Sequence, residues 1–343
     1  MKSKTTRERR GLLKWLPGVL ISLIAIYAII RIVSWDGLQL AFSKINFPYL
    51  LLGLGIYLIS LVARGMAWRI LLQKKASLRQ TFLALNVGYL VSNVFPFRLG
   101  EFARAFLLGV ETKLGTVRVL SSIVIERAFD LAIAASLIIS MLPLALELSW
   151  AKPVAIGTLL VVLTGFLILY LLAMRRDQVK NWFVNFSENK ALLKKMVLPH
   201  LDPFFQGLAA LKNPFQFISS LGCMVLSWGL AILEYYILLL QFVPGAKLWW
   251  LALCIGILGL GIALPSAPAA IGVWEASLIA GLAIFKVDAT QALAYAVLIH
   301  FMNFVTNGSL GLYGLARAGK TLSSLMNDLG MRKKEKEKSM ELP

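Results

Sequence analysis

Three charged side chains follow a proline at a point where a membrane span would be expected to continue. The apolar run over about 78–95 breaks at Pro96, and Arg98, Glu101 and Arg104 follow before the chain becomes apolar again. Charged side chains at membrane depth cost several kcal/mol unless they are paired or hydrated, so they mark a pathway or a binding site. Non-helical backbone is tolerated there only beside protein or a water-filled cavity. The segment therefore predicts a re-entrant hairpin that lines a polar cavity.

A second set of charges lies inside the next apolar run, at Glu126, Arg127 and Asp130. On a helix, Asp130 neighbours Glu126 at i+4 and Arg127 at i+3, close to the centre of the bilayer. Arg98 and Arg104 are the nearest candidate partners in the sequence. A structural ion-pair network and direct contact with a substrate headgroup are both open, and neither role excludes the other.

Three further polar positions are notable within the apolar runs. Arg69 lies near the cytoplasmic end of its span and can reach the surface, whereas Arg64 lies about a turn and a half deeper, so a role in the cavity is open. Glu234 is central in its run and has no obvious partner, which favours a neutral carboxyl because burial disfavours the charged form. Asn303 and Asn307 share one helix face, which predicts hydrogen bonds between helices.

Composition places the chain among the polytopic α-helical membrane proteins. Of its 343 residues 59% are hydrophobic and 15% are charged, and the mean hydropathy is +0.76. A span needs about 20 apolar residues. We predict an all-α protein with about six full spans, near 16–34, 46–72, 116–143, 153–174, 216–242 and 289–316. Two broken segments, 78–113 and 249–286, are left over as re-entrant helical hairpins.

The net charge of +18 is concentrated in a few segments. They are a basic arm at 1–15, the residues after the second span, a loop at about 175–215 and a tail at 317–343. Basic loops stay in the cytoplasm, so both termini are predicted to be cytoplasmic in a multi-pass protein of the cell (inner) membrane, with one transmembrane domain over 16–316. The same excess explains the high pI without a nucleic-acid partner.

The charge distribution also predicts how the two hairpins enter the membrane. The topology is consistent only if 78–113 enters and leaves on the cytoplasmic side and 249–286 enters from the outside. The two segments would then be opposed.

The two broken segments share a residue pattern that predicts an internal repeat. The spacing Pro-x3-Gly-x8-Gly occurs at Pro96, Gly100 and Gly109 and again, 172 residues later, at Pro268, Gly272 and Gly281. An acidic residue follows each inner glycine, at Glu101 and Glu275. With opposite topology the segments would form inverted repeats, as in many transporters.

The shared residues have a physical reason to recur. Proline suits the first turn of a helix, so helices starting just after Pro96 and Pro268 would direct free N–H groups into the membrane and favour an anion there. Gly100 and Gly272 would let neighbouring helices approach closely. Helix packing alone also explains the outer glycines.

No motif for a metal, a cofactor or nucleotide hydrolysis is present. Cys223 and Cys254 lie in apolar runs and are expected to be small buried hydrophobic residues. His200 and His300 are far apart, so no metal site is predicted. There is no P-loop, and ATP hydrolysis within the chain is not expected.

The charged motifs together resemble the lysylphosphatidylglycerol synthase transmembrane (flippase-like) family over roughly 15–320. The motifs are Asn93-x2-Pro96-x-Arg98-x-Gly100-Glu101-x2-Arg104, Ser122-Ile-Val-Ile-Glu126-Arg127-x2-Asp130 and Pro265-x2-Pro268-x3-Gly272-x2-Glu275. Family members include the lipid-flipping half of multiple peptide resistance factor. The resemblance implies that a lipid is moved between leaflets, and the site positions that carry over are Arg98, Glu101, Arg104, Glu126, Arg127, Asp130 and Glu275.

We therefore expect a lipid flippase or scramblase for an anionic or aminoacylated phospholipid or a polyprenyl-phosphate-linked lipid. No soluble aminoacyl-transferase domain is expected after residue 320, so the chain is not expected to be an enzyme. Two alternatives stay open. One is a membrane-embedded lipid or glycolipid transferase, and the other is a non-transporting partner of a separate synthase or glycosyltransferase.

Overall fold

The structure is a computed structural model that describes most of the chain. The described residues are 45–95, 99–146, 174–186, 191–262 and 267–330, with scattered residues between 24 and 43 and between 156 and 172. All regular structure in these residues is helical. The predicted spans 16–34 and 153–174 fall wholly or partly outside them, as do Pro96, Arg98 and the end of the basic tail.

Eleven helices are numbered here in chain order within the described residues. They are α1 (Phe47–Leu71), α2 (Leu78–Val94), α3 (Leu99–Glu111), α4 (Thr116–Leu146), α5 (Arg176–Phe186), α6 (Ala191–Gly207), α7 (Pro214–Leu239), α8 (Leu248–Gly261), α9 (Val273–Ala283), α10 (Ala289–Arg317) and α11 (322–330). Four of them, α1, α4, α7 and α10, are long and apolar enough to cross a membrane. Their ends match four predicted spans to within three residues.

The first broken segment forms a helical hairpin of two short arms, α2 and α3. A capping box between Ser77 and Gln80 starts α2, which has 17 residues, and α3 has 13, so neither reaches the length of a span. The arms touch at Gly88 and Gly100, where a Cβ on Gly100 would lie 1.8 Å from the Gly88 carbonyl oxygen. The predicted break and the close approach at Gly100 are confirmed, and the side from which the hairpin enters the membrane stays a prediction.

The second broken segment, α8 and α9, also folds back on itself, with Gly281 packed against Cys254. Here the predicted helix start is wrong. Pro268 opens a short 3-10 turn and α9 begins only at Val273, because Ala269 and Ala270 both take φ of 57° and break the helical path. Gly272 has φ of 83° and precedes the helix as its N-cap, and its predicted packing role stays a prediction.

The order of helices in the first half recurs in the second. Shifted by 172 residues, α1 to α4 fall on 219–243, 250–266, 271–283 and 288–318, within five residues of α7 to α10. The leading helices α1 and α7 are antiparallel, since Asn46 contacts Gln241 and Ser60 contacts Ser227. An inverted repeat requires this opposite direction.

The two halves also exchange contacts. The first arm α2 packs on α10, where Gly311 meets Leu90, and the first arm α8 packs on α4, where Gly256 meets Ile138. Each hairpin is therefore held by the last long helix of the other half, and neither half completes its core alone.

The predicted cytoplasmic loop at 175–215 is helical in its described part. Phe205 and Leu208, around the end of α6, are buried beside Phe129 of α4. Lys180 of α5 donates a 2.6 Å hydrogen bond to Asp202 of α6, which lowers the pKa of that carboxyl. The loop is thus attached to the long helices by α6, and its side of the membrane stays a prediction.

Candidate functional site

Six charged side chains meet where α1, α3 and α4 come together. Three are cations and three are anions, so their formal charges cancel: Arg64, Arg104, Arg127, Glu101, Glu126 and Asp130. We call this set the ion cluster. In a low-dielectric environment a balanced set avoids leaving an unpaired charge.

Glu126 is the centre of the ion cluster. It is fully buried and accepts from three guanidinium groups, Arg64 Nε at 3.1 Å, Arg104 Nη1 at 2.9 Å and Arg127 Nη2 at 3.0 Å. Charge-assisted hydrogen bonds of this kind are the strong ones. One carboxylate therefore ties α1, α3 and α4 together.

Asp130 lies one turn further along α4 and connects the cluster to a fourth helix. It pairs with Arg64 and with Arg127 Nη1 at 3.1 Å, and its Oδ1 accepts from Trp228 Nε1 of α7 at 3.0 Å. The indole N–H satisfies the carboxylate oxygen that the arginines leave free. The cluster is thus anchored in both halves of the domain.

Arg104 is locked in place. It is 2% exposed, and its guanidinium lies over the Trp68 ring at 4.7 Å, a cation–π contact, while Trp68 itself donates to Ser122. Its Nη2 has no hydrogen-bond partner among the described residues. Arg104 is therefore part of the closed base of the cluster.

Arg127 and Glu101 form the open rim. Their side chains are 29% and 26% exposed, and their closest atoms, Nε and Oε1, are 3.4 Å apart. That separation is longer than a good hydrogen bond. The rim therefore offers one cation and one anion that an incoming zwitterionic or anionic group can reach, above a base that stays paired.

The structure brings together five of the seven predicted site residues. The predicted pairings of Glu126 with Arg104 and of Asp130 with Arg127 are confirmed, and Arg98 lies outside the described residues. Arg64 was noted only for its depth, although its side chain completes the cluster. Trp228 gave no signal in the sequence, because a tryptophan in an apolar run is ordinary.

Glu275 lies apart from the cluster, in the second hairpin. Its Oε1 is 2.6 Å from His300 Nδ1, and its Oε2 accepts from the Gly272 N–H at 2.7 Å. Trp274 stacks on the His300 ring at 4.6 Å. The N–H group at this helix end was expected to be free for an anion, but the chain's own carboxylate occupies it.

The two hairpins nevertheless carry equivalent acid–base pairs. In each half an acid near the start of the second arm pairs with a base on the following long helix, Glu101 with Arg127 and Glu275 with His300. The acids are 174 residues apart and the bases 173, close to the repeat offset. Sequence reasoning found both acids but missed His300, since nothing local marks it as a partner.

A cavity of about 370 Å³ lies between α2, α3 and α10. Its lining includes Arg79, Arg317 and Glu111, and it extends to Leu107, one turn of α3 from Arg104. Nowhere in the described part of the chain do three His, Cys, Asp or Glu side chains lie close enough together to hold a metal ion.

A comparison with protein families decides where the chain belongs. A model of the lysylphosphatidylglycerol synthase transmembrane region matches residues 15–311. The chain is a member of this family. The match covers both hairpins and the whole ion cluster, and it identifies a multi-pass membrane protein with a lipid-related function. No curated protein and no solved structure matches the chain.

Proposed function

We propose that this member of the lysylphosphatidylglycerol synthase transmembrane family moves an anionic or aminoacylated lipid between membrane leaflets. The single observation that carries the proposal is the ion cluster, with a buried base of paired charges and a partly exposed rim. Intramembrane ionisable residues mark substrate pathways. The family match, to a region named for a lipid synthase, fits a lipid as the substrate.

The rim provides the exchangeable contacts. Arg127 is held by Glu126 and Asp130 even if Glu101 leaves it, so a lipid phosphate can replace Glu101 without leaving the guanidinium unsupported. Glu101 is then free to accept from a cationic aminoacyl group. Unassisted flipping is slow because the headgroup must leave water, and exchange at the rim replaces part of its hydration.

The short arms of the hairpins supply the polar route. The cavity lined by Arg79 and Arg317 reaches Leu107, one turn of α3 from Arg104, so an opening along α3 would give an anionic headgroup a basic approach to the cluster. The Glu275–His300 pair occupies the equivalent place in the second hairpin. Two related pairs on opposed hairpins suit a headgroup that passes from one side to the other while its chains stay in lipid.

The test is leaflet exchange in proteoliposomes. The purified chain is reconstituted in phosphatidylglycerol vesicles with an acyl-labelled phosphatidylglycerol or a labelled polyprenyl phosphate, and inward movement is followed by dithionite quenching. We expect Arg127→Ala to slow movement about tenfold or more, since a lost charge-assisted hydrogen bond costs about 1.5–3 kcal/mol. Arg127→Lys should recover part of the rate.

Arg176→Ala is the matched control, because Arg176 is an exposed arginine of α5 whose ion pair is with its neighbour Asp177, away from the ion cluster. It should leave movement unchanged. If the parent protein moves neither lipid, or if Arg127→Ala moves lipid at the parent rate, the proposal is wrong. Formation of a modified lipid in the same vesicles would instead indicate a transferase.

A further inference from the structure

Glu234 of α7 is a fully buried carboxyl without a hydrogen bond. Its side chain is 0% exposed, and neither Oε1 nor Oε2 has a partner among the described residues. It lies five residues before Leu239, the last residue of α7. The ion cluster and the Glu275–His300 pair do not use it.

The groups around Glu234 include acceptors that lack donors. Tyr57 of α1 donates its hydroxyl to Asn307 of α10 at 2.9 Å, which confirms the predicted interhelical role of that amide. Tyr235 is hydrogen bonded to Asn303, whose Oδ1 has no partner in the described part of the chain. The Tyr57 hydroxyl proton is thus already donated, while both Glu234 oxygens and Asn303 Oδ1 have no donor among the described residues.

The charged and titratable groups on the packed helices do not neutralise Glu234 by pairing. In the described part of the chain, Tyr57 on α1, Tyr235 on α7 and Tyr295 on α10 interact electrostatically with Glu234. The helices packed against α7 also carry Arg64 on α1, Glu126 and Asp130 on α4, Cys254 on α8 and His300 on α10. The two bases are committed elsewhere, Arg64 to Glu126 and Asp130 and His300 to Glu275. An ionised Glu234 would have no counter-charge in contact.

A carboxylate in that position is costly, and such groups bind a proton instead of staying charged. We propose that Glu234 is a proton-binding site and that its loading and release are coupled to lipid movement. The coupling rests on the proposed function, whereas the proton site does not. Nothing in the family match assigns a role to this residue.

The coupling has a route through α1. Tyr57 interacts electrostatically with both Glu234 and Arg64, and Tyr89 interacts with Tyr57 and Arg64. Tyr57 and Arg64 are seven residues apart, so they lie on one face of the helix two turns from each other. When Glu234 releases its proton, the new negative charge acts on Tyr57, and the same face of α1 carries Arg64, which holds Asp130 in the ion cluster.

The proton site is tested by carboxyl labelling. Dicyclohexylcarbodiimide reacts with protonated carboxyls in apolar surroundings, and mass spectrometry of the full chain in phosphatidylglycerol vesicles locates the adduct. We expect an adduct at Glu234 that declines as the pH rises and that Glu234→Gln abolishes. Asp177, whose side chain is 82% exposed on α5, serves as the unlabelled reference. If no adduct forms at any pH, or if the extent of labelling does not depend on pH, the assignment of Glu234 as a proton site is wrong.

The coupling is tested by lipid movement under a pH gradient, with a lumenal pH dye in the same vesicles. In the parent protein a gradient should change the rate several-fold and lipid movement should shift the lumenal pH. Glu234→Gln should keep movement and lose both responses, and Asp177→Asn, at an exposed carboxyl of α5, should keep both. If Glu234→Gln responds as the parent does, the coupling is wrong. If the parent moves no lipid, the proposed function and its coupling fail while labelling still decides the proton site.

Discussion

Glu126 illustrates how one buried carboxylate organises a membrane site at the scale of a residue. It accepts from Arg64 of α1, from Arg104 of α3 and from its sequence neighbour Arg127 on α4 itself. Taking these ions out of water is unfavourable, and the loss is offset only when every charge is paired and hydrogen bonded. The cluster meets that condition at its base and relaxes it at the rim.

We predict that Glu126→Gln destabilises the domain by about 3–5 kcal/mol, because removing a central partner leaves buried charges uncompensated. Arg104→Met should cost less, since Glu126 keeps Arg64 and Arg127 as partners. Thermal unfolding of both variants in detergent measures the difference. Equal midpoints for the two would show that Glu126 is not the centre of the network.

Residue-level prediction succeeded where one element contained both the charge and a clue to its partner. The spacing of Glu126, Arg127 and Asp130 on one helix indicated their grouping, and nearness in the sequence suggested Arg104 as a partner. Arg64, Trp228 and His300 join their sites across long sequence separations. Such partners depend on how helices are arranged, which local spacing does not contain.

At the scale of elements, the two inner glycines of the repeated motif, Gly100 and Gly272, have different structural roles. Gly100 is helical and lets the arms α2 and α3 touch backbone to backbone, whereas Gly272 takes a positive φ and ends the irregular entry to α9. The shared spacing predicted a hairpin in both places. It did not predict which hairpin uses glycine for close approach and which uses it for a positive φ, because either need selects glycine.

Gly100→Ala should therefore open the first hairpin. Its Cβ would lie 1.8 Å from the Gly88 oxygen, a backbone atom that cannot move aside, so we expect a loss of more than about 3 kcal/mol in the free energy of unfolding. Gly55→Ala is the control, since nothing lies within 4 Å of a Cβ there. That change should be stabilising by up to about 1 kcal/mol. Thermal unfolding in detergent compares the two variants, and an equal change in their unfolding midpoints would contradict the close contact between Gly100 and Gly88.

The long helices were predictable because membrane thickness sets their length and apolar composition marks their ends. The short ones were predictable as broken segments but not in detail. Ala269 and Ala270 take positive φ, which alanine rarely adopts. The late start of α9 depends on that turn, and no local residue preference indicates it.

At the scale of the whole molecule, the exchange of contacts between halves is the feature that defines the domain. α2 lies on α10 and α8 lies on α4, with a glycine at each crossing, Gly311 and Gly256. Close approach at small residues is the usual basis of helix association in membranes. The equivalent crossings support the inverted repeat that the sequence suggested.

The two helix crossings should differ in how well they tolerate a methyl group in place of the glycine hydrogen. A Cβ on Gly311 would lie 2.5 Å from Leu90 Cβ and 2.7 Å from the Asn86 oxygen, whereas a Cβ on Gly256 first meets a branch of the Ile138 side chain. We predict that Gly311→Ala lowers the unfolding midpoint more than Gly256→Ala, because a side chain can rotate and backbone cannot. Gly308→Ala, in open space on α10, should leave the midpoint unchanged. The opposite ranking would argue against this packing.

The exchanged contacts have a consequence for biogenesis. Leu90 packs against Gly311, which lies 221 residues later in the chain. Synthesis of that stretch takes roughly 10–40 s at about 5–20 residues per second. During that interval the first hairpin exists in the bilayer without the helix that covers it. A nascent chain of this architecture therefore depends on the insertion machinery, or on membrane chaperones, to shield α2 until its second half arrives.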